Sequence, residues 1–243
     1  MGRILAFLYG VVSYLVFFVT FLYAIGFVGN VFVPKSIDLG KPGTFGQALV
    51  VDAILLGLFA VPHSVMARPG FKRRWTRVVP EVVERSTYVL VSSLLLALLF
   101  WQWQPILTVI WDVRNPAGSL SLQVFFWLGW ALVLLSTFLI NHFDLFGLRQ
   151  VYLYQVGKPS GESKFKTPGL YKIVRHPIML GFVIAFWATA RMTLGHLVFA
   201  IATTAYVLIA IQFEERDLVN IHGNAYEDYR RRVSMLLPLP KRR

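Results

Sequence analysis

The chain has 243 residues, 56% of them hydrophobic and only 15% charged, against roughly 25% charged in ordinary soluble domains. A domain of this size has no interior large enough to bury so much apolar surface, which excludes a soluble globular fold and leaves lipid to cover part of the chain. Cysteine is absent, so disulfides, thiolate metal sites and a cysteine nucleophile are excluded, and any thiol in the chemistry belongs to a substrate.

A membrane span needs about 20 apolar residues. In chain order the sequence predicts spans over Ile4–Val28, Phe45–Met66, Thr87–Ile110 and Leu122–Ile140, then a short pair near 177–190 and 194–211. The first run is too long for a signal-peptide core and has no small-residue cleavage site, so it reads as a retained span. The last two are separated only by Arg191, Met192 and Thr193 and read as a tight helical hairpin that need not cross fully.

The net charge is +12, and it lies in the loops. Such charge reads as membrane topology and attraction to anionic lipid, not as a nucleic-acid footprint. Lys and Arg cluster at Arg68, Lys72, Arg73, Arg74, Arg77 and Arg85, again at Arg149, Lys158, Lys164, Lys166, Lys172 and Arg175, and in the tail from Arg216 to Arg243. The opposite loops hold only Lys35, Lys41, Arg114 and Arg191, so 20 of the 24 basic residues, Arg3 included, share one side. The positive-inside rule puts that side, and both termini, in the cytoplasm. The fold class expected is an all-α integral membrane protein of about five to six transmembrane helices with a cytoplasmic C-terminal helical region. The Gly/Pro/Ser/Lys-rich stretch 157–168 reads as a linker between a four-span part, 1–156, and a hairpin-plus-tail part, 157–243.

Polar residues within apolar spans are costly and are functional candidates by default. Asp52 and His63 sit in the second span; His63 either lines a pocket or bonds a neighbouring helix. His142 and Asp144 follow the fourth span. Histidine titrates near neutral pH, so His142 suits a general base with Asp144 as its orienter; the same residues also read as an interfacial cap. Arg175-His176-Pro177 opens the next helix, where free backbone N–H groups and a guanidinium suit a carboxylate, and Gly181 allows a ligand or a helix to approach. A plain basic flank with a proline start fits the same residues. Glu214 and Glu215 form an acidic pair on a basic surface, suited to an ammonium or ribose hydroxyls, or to pairing with Arg216 or Arg230. Adjacent helical residues point about 100° apart, so the two are expected to do different jobs. Further on, Gly223 ends a helix, Asn224 is expected to cap the next with Glu227 as capping-box partner, and Tyr226 and Tyr229 share a face. No GxGxxG after a strand, Walker loop or HExxH is present, and the histidines have no metal-ligand spacing, so no metal is expected.

The order Gly169, Tyr171, Arg175-His176-Pro177, Gly181, then Glu214-Glu215, Leu218, His222-Gly223, Tyr226, Tyr229, Arg230, Val233 and Pro238 resembles the C-terminal signature of isoprenylcysteine carboxyl methyltransferase-like membrane enzymes. In that family this half binds S-adenosylmethionine at the cytoplasmic membrane surface. Residues 63–72, 84–89 and 141–150 look like the bacterial methanethiol S-methyltransferases, which sit in the same superfamily near NnrU-like proteins. The likeness spans residues 45–240, with one departure: Met179 stands where the wider pattern has Tyr. It implies a bacterial inner-membrane enzyme that transfers a methyl group from S-adenosylmethionine to methanethiol, giving dimethyl sulfide. Tyr171, Arg175, His176, Pro177, Gly181, Glu214, Glu215, Tyr226, Tyr229 and Arg230 would form the cofactor site. His142, Asp144 and, in reserve, His63 would serve proton transfer. Partners would be the small thiol and membrane lipid, not nucleic acid; the sequence sets no oligomeric state. Two other readings share parts of the pattern: a methyltransferase of a larger isoprenoid or lipid acceptor, and a non-catalytic NnrU-like membrane protein.

Overall fold

The computed structural model describes residues 2–159 and 165–238. The middle of the 157–168 linker, together with Lys164, Lys241, Arg242 and Arg243, lies outside the described residues.

Five helices are long and apolar enough to cross a bilayer: α1 (Arg3–Gly29), α2 (Phe45–Met66), α4 (Glu81–Gln102), α5 (Pro116–Ile140) and α9 (Leu194–His222). Between 17% and 39% of each one's most apolar stretch is buried within the protein, so most of that surface must meet lipid. The chain is therefore a multi-pass membrane protein. Shorter helices lie between: α3 (Pro69–Trp75), α6 (His142–Leu145), α7 (Leu148–Gln155), α8 (Pro177–Trp187) and α10 (Asn224–Arg232), with a 3₁₀ turn over Gly169–Lys172. A two-stranded antiparallel ribbon, β1 (Val109–Asp112) with β2 (Arg191–Thr193), adds to the helices and joins the turn before α5 to the hairpin turn. Strands this short leave no periodicity to read.

Local chemistry sets the ends. Thr44 caps α2 by accepting the Gln47 N–H, and Thr193 caps α9 by accepting that of His196. Gly223, at φ 54°, both stops α9 and starts α10, so Asn224 is the first helical residue and the expected Asn224 cap is not made. A left-handed glycine closes one helix and re-aims the chain without any side chain.

The chain forms two compact units: residues 1–106 with 141–163, and 107–140 with 164–243. The boundary expected at 156/157 differs from this division, because α5 packs with α8 in the second unit.

In the first unit, α1 packs along α4 and α7. Val151 of α7 is fully buried between Ala6 and Val83, and a Cβ at Gly10 would lie 2.4 Å from a Val151 methyl.

In the second unit, α5 and α8 touch backbone to backbone. A Cβ at Gly181 would sit 2.6 Å from the Gly129 carbonyl oxygen, and one at Gly129 would sit 2.7 Å from that of Gly181. Small residues allow such approach in lipid, where van der Waals contact drives helix association. Trp130 fills the flank against Phe182 and Phe186, with ring centroids at 5.7 and 6.1 Å. With 11 residues, α8 is about 16 Å long, half a bilayer core, so the hairpin's first arm does not cross as a helix. Gly181→Ala must push α5 from α8, which costs about 1–3 kcal/mol of overpacking and about 2–12 °C of thermal midpoint. A thermal unfolding scan of the detergent-solubilised protein checks this; an unchanged midpoint would show that the contact is loose.

Candidate active site

The polar centre of the second unit is built from α8, α9 and the segment after α10. Pro177 takes the first position of α8, leaving His176 just outside the helix. Val233 to Met235 runs alongside. Val174 bridges Ser234 in parallel; the Arg175 N–H donates to the Ser234 carbonyl at 2.9 Å, and that of His176 to Met235 at 3.2 Å.

Arg175 is buried, and its guanidinium is spent on the protein. Nε donates to Glu215 Oε1 at 2.7 Å, Nη2 lies 2.6 Å from the same oxygen, and Nη1 donates to the carbonyls of Arg230 and Val233. Glu215 Oε1 also faces His176 Nε2 at 3.1 Å, while Glu214 Oε2 lies 3.6 Å from His176 Nδ1. The two glutamates thus divide the work: Glu215 is a buried structural anchor, and Glu214 keeps a side chain 43% exposed. Arg230 offers its carbonyl here and holds its side chain at the surface. Gly181 meets α5, as described above, and does not open onto this centre.

Three tyrosines complete the wall. The Tyr229 hydroxyl donates to the Tyr171 carbonyl at 2.6 Å, and the Tyr171 hydroxyl to the Ser136 carbonyl at 3.4 Å. Burial raises the pKa of all three phenols, that of Tyr229 to about 12, and the glutamates add to the rise, so they are neutral donors at physiological pH. Phe165 packs edge-to-face with Tyr226 and Tyr229 and tilted against His222, with centroids 5.1 to 5.7 Å away. Tyr226 is 1% exposed, yet among the described residues its hydroxyl has no hydrogen-bond partner. Leaving a buried hydroxyl unpaired costs about 1–3 kcal/mol, so this atom is a candidate donor to a ligand acceptor.

The first unit holds the histidine candidates. Asn141 caps α6 and places His142 in a ring of Tyr14, Phe17, Phe143 and Phe146. Tyr14 Oη lies 2.8 Å from His142 Nε2. Burial lowers the His142 pKa, which keeps the ring neutral and able to accept a proton. Asp144 does not orient it: that carboxylate binds Arg149 Nη1 at 3.1 Å. Residues two apart on a helix point to opposite faces, so the expected His142–Asp144 pair is replaced by His142–Tyr14. His63, on α2, stacks on Phe59 at 5.0 Å and bonds Ser92 Oγ and the Tyr88 hydroxyl at 3.1 Å each. Phe17 and Phe146 stack at 3.8 Å, and both pack against the buried cluster of Met66, Tyr88 and Val89, so the two histidines flank one apolar cluster. Asp52 is elsewhere on α2, holding the Gln104 N–H at 2.9 Å.

Tyr14, Phe165, Ser234 and Met235 are absent from the sequence-level site. Tyr14 and Phe165 lie in apolar or basic runs far from the motifs they join; Ser234 and Met235 act through backbone atoms, which carry no side-chain signal.

The family model described as NnrU protein matches residues 53–236. The chain belongs to the NnrU family. Within that family it is 63% identical to the methanethiol S-methyltransferase of Mycobacterium tuberculosis, over 100% of this chain and 99% of the relative. It is 57% identical to methanethiol S-methyltransferase 2 of Bradyrhizobium diazoefficiens, covering 98% and 91%, and 56% identical to the Crocosphaera subtropica methanethiol S-methyltransferase, covering 98% and 93%. No solved structure matches. The matched NnrU segment contains α8, α9 and α10 in full, and with them the Arg175–Glu215 centre.

Breaking a buried ion pair by removing one partner costs about 3–5 kcal/mol, so Arg175→Ala and Glu215→Ala in this NnrU-family chain each lower the thermal midpoint by about 6–20 °C. Glu214→Ala leaves it within about 2 °C, as expected for a half-exposed group. Thermal scans in detergent separate the two glutamates; equal losses at 214 and 215 would contradict the division of roles.

Proposed function

We propose that this chain is a membrane thiol S-methyltransferase that converts methanethiol to dimethyl sulfide, with S-adenosylmethionine as methyl donor. The observation that carries the reading is identity of 51–63% along nearly the whole chain to relatives named methanethiol S-methyltransferase. The geometry of the second unit supports the donor. Its residues fit that molecule: the orphaned Tyr226 hydroxyl for a polar edge, the faces of Phe165 and Tyr229 for adenine or the sulfonium, and half-exposed Glu214 for the ammonium or ribose. When bound, S-adenosylmethionine supplies an electrophilic methyl carbon on a positively charged sulfur. Arg175, Glu215 and His176 hold the walls in place, and Tyr171 ties them to α5.

The acceptor reacts as a thiolate, and an alkanethiol is a weaker acid than a cysteine side chain, whose pKa is about 8.5. His142 takes the proton. In the tautomer whose Nε2–H donates to the Tyr14 oxygen, the accepting lone pair is on Nδ1. The surrounding aromatic side chains exclude water, and a small apolar thiol reaches such a site from lipid. Both termini and the basic segments face the cytoplasm of a bacterial inner membrane in this reading, by the positive-inside rule.

The test is headspace dimethyl sulfide from detergent-purified protein given S-adenosylmethionine and methanethiol between pH 5 and 9. His142 has a folded pKa below the ordinary 6.5, so its neutral form dominates at pH 7 and is lost as pH falls through that lowered value. Turnover is expected to fall on the acid side only below pH 6.5. His142→Gln lowers kcat by about 10²–10⁴ and removes that acid limb, and Tyr14→Phe costs about tenfold. Absence of dimethyl sulfide would overturn the function, and an intact acid limb in His142→Gln would overturn the base.

A further inference from the structure

The end of α2 carries a feature that thiol methylation does not use. α3 follows the last turn of α2 almost at once, starting at Pro69, and the two form an open groove of about 590 Å³. That lies within the roughly 300–1,000 Å³ typical of small-molecule sites. Its polar lining is Arg68, Arg73, Arg74 and Arg77; its apolar lining includes Val65 and Phe71.

Arg68 donates to the Ser64 carbonyl at 3.2 Å, and the groove's lining holds four arginines and no acidic side chain. Among the described residues, the side chains of Arg73, Arg74 and Arg77 make no hydrogen bond or ion pair. The one acidic contact in the neighbourhood, Glu84, goes to Lys72 at 3.9 Å. Burial, then the charges of Arg85 and Arg68, lower the Lys72 pKa, a sign of the local positive potential. Arginine forks match phosphate oxygens bidentately. The position, one turn beyond a membrane-crossing helix, is the level of lipid headgroups, and Val65 and Phe71 suit the glycerol and upper acyl carbons.

We infer that this groove binds the phosphate headgroup of an anionic membrane phospholipid. A soluble phosphate needs no apolar wall and no span beside it. A purely topological role for the arginines needs no groove with a mixed apolar and cationic lining.

Native mass spectrometry of the full chain, titrated with phosphatidylglycerol or phosphatidylcholine, tests this. The wild type is expected to retain phosphatidylglycerol preferentially. Each basic residue near an anionic headgroup is worth about fivefold in affinity, so Arg73→Gln/Arg74→Gln/Arg77→Gln loses roughly a hundredfold and Arg77→Gln alone about fivefold. Both variants keep the wild-type thermal midpoint and thiol turnover in detergent. Equal retention of the two lipids, or an unchanged preference in the triple variant, would overturn the inference. Displacement of phosphatidylglycerol by an equal concentration of inorganic phosphate would reassign the groove to a free anion.

Discussion

The buried Arg175–Glu215 pair is the interaction on which the second unit depends. A guanidinium and a carboxylate, 7% and 6% exposed, are stable there only because nearly every donor is used. The four side-chain contacts of Arg175, with the backbone bonds from Arg175 and His176 to Ser234 and Met235, join three pieces of chain: the residues just before α8, the later turns of α9 and the strand-like segment after α10. His176 and Tyr229 extend the network to Glu214 and Tyr171. In a protein whose long helices face lipid on most sides, hydrophobic burial distinguishes poorly between one helix packing and another. A fixed polar knot supplies that specificity, and α5 and α8 add a backbone contact at Gly129 and Gly181 that admits no side chain.

This anchoring changes the meaning of the residues involved. Arg175 carries a full positive charge and a sequence position suited to a ligand carboxylate, yet its donors already point at Glu215 and two carbonyls. It positions the site. The groups that the knot holds without consuming are the Tyr226 hydroxyl, the half-exposed Glu214 and the aromatic faces around Phe165, and these are the ones proposed to meet the donor. In the first unit the same economy holds for His142. One ring nitrogen is fixed by Tyr14, and its aromatic surroundings keep it neutral, the state a base needs.

Much of this was legible in the sequence, because lipid imposes long apolar runs. All five long helices lie on predicted spans; α2 matches to the residue, while α4 begins six residues earlier than expected, since its first turns carry Glu81, Glu84 and Arg85 at the membrane edge. The Arg-His-Pro and Glu-Glu motifs, each visible in the sequence, meet in the structure. What was hidden depends on three-dimensional partners. Nothing in the sequence places α5 with α8 across the 30-odd residues between them; only two glycines mark the contact. Asp144 looked like the partner of His142 because it is near in sequence, but helical geometry turns it to Arg149. Tyr14 lies 128 positions from His142, in a run whose composition says only membrane.

The central claim is that the tyrosine-lined centre around Arg175 and Glu215 receives S-adenosylmethionine. The most direct test is the equilibrium affinity of the detergent-purified protein for S-adenosylmethionine, compared between wild type and Tyr226→Phe, with thermal midpoints measured alongside. Among the described residues the Tyr226 hydroxyl has no partner, so its removal is expected to leave the midpoint unchanged or raise it. If the hydroxyl bonds the donor, affinity falls by about 2–13-fold, the value of one hydrogen bond of roughly 0.5–1.5 kcal/mol. Unchanged affinity would contradict the account.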